Sequence, residues 1–132
     1  TVLADGDDEN DPVVDTARAI LDGHIVLSRA IAQRGQYPAI DVGASLSRVM
    51  SDVAAPGHRA DAMALRALCA SYEANRDLVL MGAYRAGADA QLDRAMAMQP
   101  AIQAFLAQSV EEGCSLEDSV ERLHTLLAPA PS

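Results

Sequence analysis

Gly35-Gln-Tyr-Pro-Ala-Ile-Asp-Val-Gly-Ala-Ser-Leu-Ser-Arg-Val-Met50 is the stretch on which the reading of this chain turns. It joins an aromatic–proline corner, Tyr37-Pro38, to a Ser-Leu-Ser-Arg tetrad ending at Arg48. Before it, strand-like runs alternate with helical patterns; after Pro56 the pattern is helical alone. Two readings fit. One is a surface loop linking two subdomains, which spacing alone favours because Tyr-Pro and Ser-Arg pairs are common. The other is a segment that carries one part of a nucleotide site at each end.

Outward toward the N-terminus, Ser28 caps a short helix through Arg34, and Gly35 ends it. His24 to Leu27 is a strand-like run. Asp11-Pro12 starts an earlier helix, with Val13, Ala17, Ile20 and Leu21 on one apolar face and Gly23 as its stop. Thr1 to Ala4 is a short buried strand that delivers into an acidic loop. The six acidic residues from Asp5 to Asp15 do not meet the EF-hand pattern, so a solvated loop that caps the next helix is expected. The first third therefore reads β-α-β-α, the pattern of strands in a parallel sheet. Two strands are too few for a stable domain, so the rest of the sheet is missing or comes from a partner. The abrupt Thr1-Val2-Leu3 start suggests a C-terminal fragment of something longer.

Toward the C-terminus, Ala54 to Gly57 reads as the linker. A long helix is expected over His58–Met81, with Ala62, Leu65, Leu68, Cys69, Tyr72 and Val79 inward. Arg59, Arg66 and Glu73, seven apart, form a solvated stripe. Gly82 and Gly87 break the pattern. A third helix is expected over Asp89–Met98. A fourth starts at Pro100, with Ile102, Phe105, Leu106 and Ser109 or Val110 inward, and ends at Gly113. Ser115 to Asp118 reads as a capping box opening the last helix, with Leu116, Val120, Leu123 and Leu127 as its core stripe. The five Met read as gap-fillers in an aromatic-poor core.

Half of the 132 residues are apolar and only 3% aromatic, so the core is aliphatic. The net charge is −9, which argues against nucleic acid and against an anionic membrane surface. All ten basic residues are Arg, so no phosphate loop with its Lys is present. Cys69 and Cys114 lack a close or metal-type spacing and read as free, mostly buried thiols of a reducing compartment. His24, beside an apolar run, reads as a structural histidine. No metal site and no Ser-His-Asp or Cys-His triad is expected. No signal peptide or run of transmembrane length is seen, which suggests a soluble, cytoplasmic chain.

Thr-Val-Leu-x-x-Gly-Asp-Asp at the start, Ile-Leu-Asp-Gly-His-Ile-Val-Leu-Ser-Arg at 20–29, Tyr-Pro-Ala-Ile-Asp-Val at 37–42, Ser-Leu-Ser-Arg at 45–48 and Asn-Arg-Asp-Leu-Val at 75–79 together resemble the hexameric ATPases of bacterial type III protein export. These are relatives of the catalytic subunit of rotary ATP synthases. The stretch Val-Leu-Met-Gly-Ala-Tyr-Arg-Ala-Gly-Ala-Asp at 79–89 resembles the flagellar branch, since virulence-secretion relatives tend to have Gly-Glu-Tyr there. By this resemblance residues 1–55 are the C-terminal strands and helices of a RecA-like α/β domain. Residues 56–128 are an all-α helical bundle domain (its helices within 57–128), and residues 129–132 a disordered tail. The phosphate loop, catalytic Glu and Walker B Asp would lie upstream.

The resemblance also implies roles. Arg48 matches the family's arginine finger, projecting in trans toward the γ-phosphate in the neighbouring subunit's site. Tyr37 matches the aromatic that stacks on adenine in its own subunit. Val110 and Gly113 fall where the helical domain closes the far side of the adenine pocket. Arg29 matches no phosphate contact and reads as a structural ion-pair partner. The implied whole is a homohexameric ATPase using ATP and Mg²⁺ to unload and unfold export substrates. Its partners would be chaperone–substrate complexes and central and peripheral stalk proteins, and its place peripheral to the inner membrane at the export gate. No ligand and no turnover are expected of this fragment alone. Two alternatives stay open: a non-catalytic helical module that docks chaperones or a stalk, and an ATP synthase catalytic-subunit fragment. The latter typically has an acidic turn after the long helix, where this chain has Gly82-Ala83-Tyr84-Arg85.

Overall fold

The computed structural model describes residues 11–128; the expected strand at Thr1–Ala4, most of the acidic loop and the tail at 129–132 lie outside them. Helix α1 (Pro12–Ile20) starts where the sequence indicates. The Asp11 carboxylate accepts from the Val13 amide at 2.7 Å, and Pro12 takes the first helical position, where no N–H is needed. It stops at Leu21, in extended backbone, rather than at Gly23. Gly23 instead opens strand β1 (Gly23–Leu27), where a Cβ would stand 2.6 Å from the Leu46 carbonyl oxygen. Its role is close approach between strands, not helix termination. Helix α2 (Arg29–Gln33) is capped by the Ser28 hydroxyl, and Gly35 leaves it with φ of +78°.

The Tyr37-Pro38 corner, joined by a cis peptide, leads into strand β2 (Ile40–Ser47). The expected loop is thus mostly strand, and it pairs antiparallel with β1. The surface-loop reading does not hold, while the parallel pattern expected of Thr1–Ala4 and His24–Leu27 has its first strand outside the described residues. A parallel crossover from β1 to β2 must carry the chain back along the whole preceding strand, about 17 Å for five residues. Five helical residues cover only about 7.5 Å. The chain reverses instead, and the Ser28 amide donates to the Ala39 carbonyl (2.8 Å) to close the mouth of the loop. After a short helix α3 (Met50–Val53) the linker is only Ala54-Ala55, since Pro56 and Gly57 form the first turn of α4 (Pro56–Leu80).

Arg66 and Glu73 of the Arg59–Arg66–Glu73 stripe are exposed as expected, yet the stripe also reaches across to the α/β portion. Arg59 donates to the Ser51 carbonyl, Arg66 to three carbonyls of β2, and Glu73 lies 3.6 Å from Arg34. The opposite face carries Leu65 and Leu68 into the core with Ala95, Ile102, Leu123 and Leu127. Gly82 and Gly87, both at positive φ, make the turn after α4 as expected. Tyr84 ties that turn to Asp93 with a 2.9 Å hydrogen bond.

Helix α5 (Ala90–Leu106) is one helix, not two, with Pro100 inside it. An interior proline costs about 3 kcal/mol. Here Leu92 and Ala95 on one side and Ile102 on the other are all buried, and that burial outweighs the local penalty. The chain leaves the helix at Leu106, so Val110 lies in a loop and is wholly exposed, and Gly113 terminates no helix. Met63 and Met81 are also exposed rather than filling core gaps. Both cysteines are free, but only Cys69 is half-buried; burial pushes its thiol up, while Cys114 is exposed.

Helix α6 (Leu116–Leu127) opens with the expected capping box. The Ser115 hydroxyl accepts from the Asp118 amide, and the Asp118 carboxylate accepts from Ser115. Leu123 and Leu127 enter the core, whereas Leu116 is 70% exposed and lies outside it. Hydrogen bonds from Ser115 hold the Asp118 carboxyl below the usual range. A depressed carboxyl stabilises the fold above its unfolded pKa, and that contribution disappears as pH falls through the lower folded value. Ser115→Ala removes the helix N-cap and should cost about 1 kcal/mol near neutrality. Urea titrations should show the gap to the parent chain narrowing as pH drops below about 4.

Candidate functional site

Tyr37 stands at the end of the sheet where α2 meets β2, with its side chain 59% exposed. The backbone ties it to the helical portion: the Gln108 amide donates to the Tyr37 carbonyl at 2.9 Å. This bond anchors the loop that follows α5 to the corner. Val110 sits two residues beyond Gln108 in the same loop, open to solvent. Gly113 falls elsewhere, in a groove of about 750 Å³ between α5 and α6, beside Cys114, Asp118 and Arg122. The structure thus brings the Val110 loop to Tyr37 and puts Gly113 at a separate groove.

Arg48 lies at the opposite end of β2. Its amide donates to the Asp22 carbonyl at 2.8 Å, and its guanidinium donates to the Arg18 carbonyl at 3.1 Å. The side chain is exposed, and among the described residues it meets no carboxylate. A guanidinium carries five N–H donors, so most of the fork stays available to an incoming anion. Between the two residues the ladder runs the length of β1, about 17 Å. Tyr37 and Arg48 therefore face different ends of one strand. Arg29 is exposed, and His24 is structural as expected, its Nε2–H donating to the Ala44 carbonyl at 3.2 Å. Among the described residues no group of three or more His, Cys, Asp or Glu could hold a metal ion, and no helix is long and apolar enough to cross a membrane.

The family profile described as "T3SS EscN ATPase C-terminal domain" matches residues 54–125, over half of the chain. The chain belongs to this family. The nucleotide-binding domain of the ATP synthase alpha/beta family matches residues 1–47. The flagellum-specific ATP synthase of Salmonella typhimurium is 50% identical over 123 residues, covering 93% of this chain and 27% of that protein. Among solved structures, the assembled ATPase EscN of the enteropathogenic E. coli type III secretion system superposes with a TM-score of 0.90 at 41% identity. The match covers 97% of this chain and 31% of that one. EscN in complex with its central stalk EscO gives 0.83 at 39% identity, covering 89% and 29%. The chain spans about 30% of the length of these relatives. The two profiles meet between residues 47 and 54, where β2 gives way to α3 and the two-residue linker.

Two residues that the sequence reading did not take as site candidates now stand beside them: Gln108, which ties the loop to Tyr37, and Arg66, which grips β2. A faint signal for Arg66 was present, since it shares the seven-residue spacing of Arg59 and Glu73.

Proposed function

We propose that this chain is the C-terminal part of a flagellar protein-export ATPase and that residues 37–48 serve two nucleotide sites of a homohexamer. The observation that carries this reading is the placement of Tyr37 and Arg48 at opposite ends of one strand. Tyr37 stacks on the adenine bound by its own subunit, with the Val110 loop closing the far side. Arg48 reaches the γ-phosphate held by the neighbour. Its guanidinium rests on a neutral carbonyl, a contact it can exchange for phosphate oxygens at little cost. Gly113 supports the pocket less well, given its place at the α5–α6 groove. The boundary at Ala54-Ala55 divides a RecA-like portion from the helical domain.

ATP with Mg²⁺ is the substrate of the whole enzyme. The magnesium would be held by the phosphates and by residues upstream, and the catalytic loop and base lie there too. The 132-residue chain alone is therefore proposed to be inactive. By likeness to EscN and its central stalk EscO, a stalk protein is the first partner to test. Chaperone–substrate complexes and a peripheral stalk follow from the export role, as does a cytoplasmic place at the inner membrane.

Tyr37→Ala in the full-length protein should raise the KM for ATP roughly 5–150-fold, from the 1–3 kcal/mol typical of base stacking, with kcat little changed. Tyr37→Phe should keep both values, since the stack needs the ring and not the hydroxyl. Steady-state ATPase titrations check this. A Tyr37→Ala enzyme with wild-type KM contradicts the adenine assignment.

A further inference from the structure

Strand β2 is not regular. Asp41 pairs with Val26 and Leu46 with His24, so residues 42–45 bulge out opposite Ile25 alone. A bulge strips backbone carbonyls of their ladder partners. Here all four are accounted for. Ala44 is met by His24, and Val42, Gly43 and Ser45 are all met by one guanidinium, that of Arg66, at 2.9, 3.0 and 2.9 Å. The bulge is braced within itself as well: the Ala44 amide donates to the Asp41 carboxylate, and the Ser45 hydroxyl to the Asp41 carbonyl. It is a small rigid body gripped from across the molecule by α4.

Arg48 is three residues beyond Ser45. Past the bulge the strand is again fixed to β1, through the Gly23–Ser47 and His24–Leu46 pairs and the bond from Arg48 to Asp22. Any movement of α4 against the sheet therefore pulls on the bulge and reaches Arg48 through a short, hydrogen-bonded run. Arg59 and Glu73 also touch the α/β portion from α4, but at Ser51 and Arg34 rather than on this strand.

We propose that Arg66 is a positioning residue: its three-carbonyl clasp sets where the Arg48 guanidinium stands and couples the helical portion to the neighbouring subunit's chemistry. The proposal rests on the reading of Arg48 as a finger in trans. Coupling of this kind can be carried by hydrogen-bond networks between rigid elements, and the clasp is such a network. Lysine can replace it only in part, because one ammonium lacks the planar fork that meets several acceptors at once. Losing Arg66 should leave the fold largely intact, since the side chain is exposed and the freed carbonyls can take water.

The test is a pair of variants and their combination in the full-length, assembled ATPase. Arg66→Ala should lower kcat about 10–100-fold, the scale of a displacement near 1 Å, and leave the KM for ATP within about twofold. Arg66→Lys should fall in between, and it carries the comparison if Arg66→Ala does not assemble. In the Arg48→Ala background, Arg66→Ala should add almost nothing, because its effect passes through a group already removed. Loss in that background as large as in the parent, or a matching rise in KM, would mark a structural role and overturn the proposal. So would wild-type kcat in Arg66→Lys, which would show that charge alone suffices. If Arg48→Ala is itself active, the finger reading has failed and Arg66 has nothing to position. If Arg48→Ala is inactive while Arg66→Ala turns over normally, only the present proposal falls.

Discussion

Replacing Arg48 with alanine in the full-length protein should lower kcat at least about 10³-fold, the lower end of what arginine fingers contribute to phosphoryl transfer. That is about 4 kcal/mol of transition-state stabilisation. The size follows from the chemistry. As the phosphoryl group moves, charge spreads over its oxygens, and a permanently charged planar fork meets two of them at once. Little of the loss should come from unfolding. The side chain is exposed, and its hydrogen bond within the chain goes to the Arg18 carbonyl, so truncation should cost no more than about 0.5 kcal/mol of stability. The KM for ATP should move only a few-fold, because in the proposed hexamer the adenine and the phosphate loop belong to the other subunit of each site. Arg48→Lys should remain well below the parent, since a point charge does not reproduce the fork. Steady-state kinetics with a check of assembly separate these outcomes.

Ile102→Ala should cost about 2–5 kcal/mol in the unfolding free energy of the chain, measured by urea denaturation. Ile102 is 2% exposed and sits where α4, α5 and α6 meet, with Leu65, Leu68, Leu123 and Leu127 in the same cluster. It also lies two residues after Pro100. An interior proline removes a helical bond, so the last turns of α5 depend on the packing of residues beyond it. Truncating Ile102 therefore opens a cavity and weakens the hold that keeps α5 continuous. Small domains have only about 5–15 kcal/mol in hand, so the transition should shift by a large fraction. Val110→Ala, at a wholly exposed loop position, should change stability by less than about 0.5 kcal/mol.

Local chemistry was legible in the sequence. The Asp11, Ser28 and Ser115 caps and the positive-φ glycines at 35, 82 and 87 were readable because the residues that make them are neighbours in the chain. What depends on distant partners was not. Strand β2 read as a linker because Gly43-Ala44, in its bulge, breaks the alternation that marks a strand, and the bulge exists only against β1 and Arg66. Pro100 read as a helix start because the burial that carries α5 through it involves α4 and α6. The seven-residue spacing of Arg59, Arg66 and Glu73 showed that they share a face, but spacing does not say what that face meets. The candidate site divides the same way. Tyr37 and Arg48 were picked out through motif order, whereas the Gln108 tether and the displacement of Gly113 emerge only in three dimensions.

The central claim is that one strand serves two sites, its own at Tyr37 and the neighbour's at Arg48. Subunit mixing addresses it directly. Full-length Arg48→Ala subunits are combined with full-length subunits whose phosphate-binding loop is disabled, each inactive alone, and ATPase activity is measured after co-assembly. A finger acting in trans predicts recovered activity, because an Arg48→Ala subunit with an intact loop gains a functional Arg48 from its loop-disabled neighbour. A mixture no more active than its two components would contradict the account.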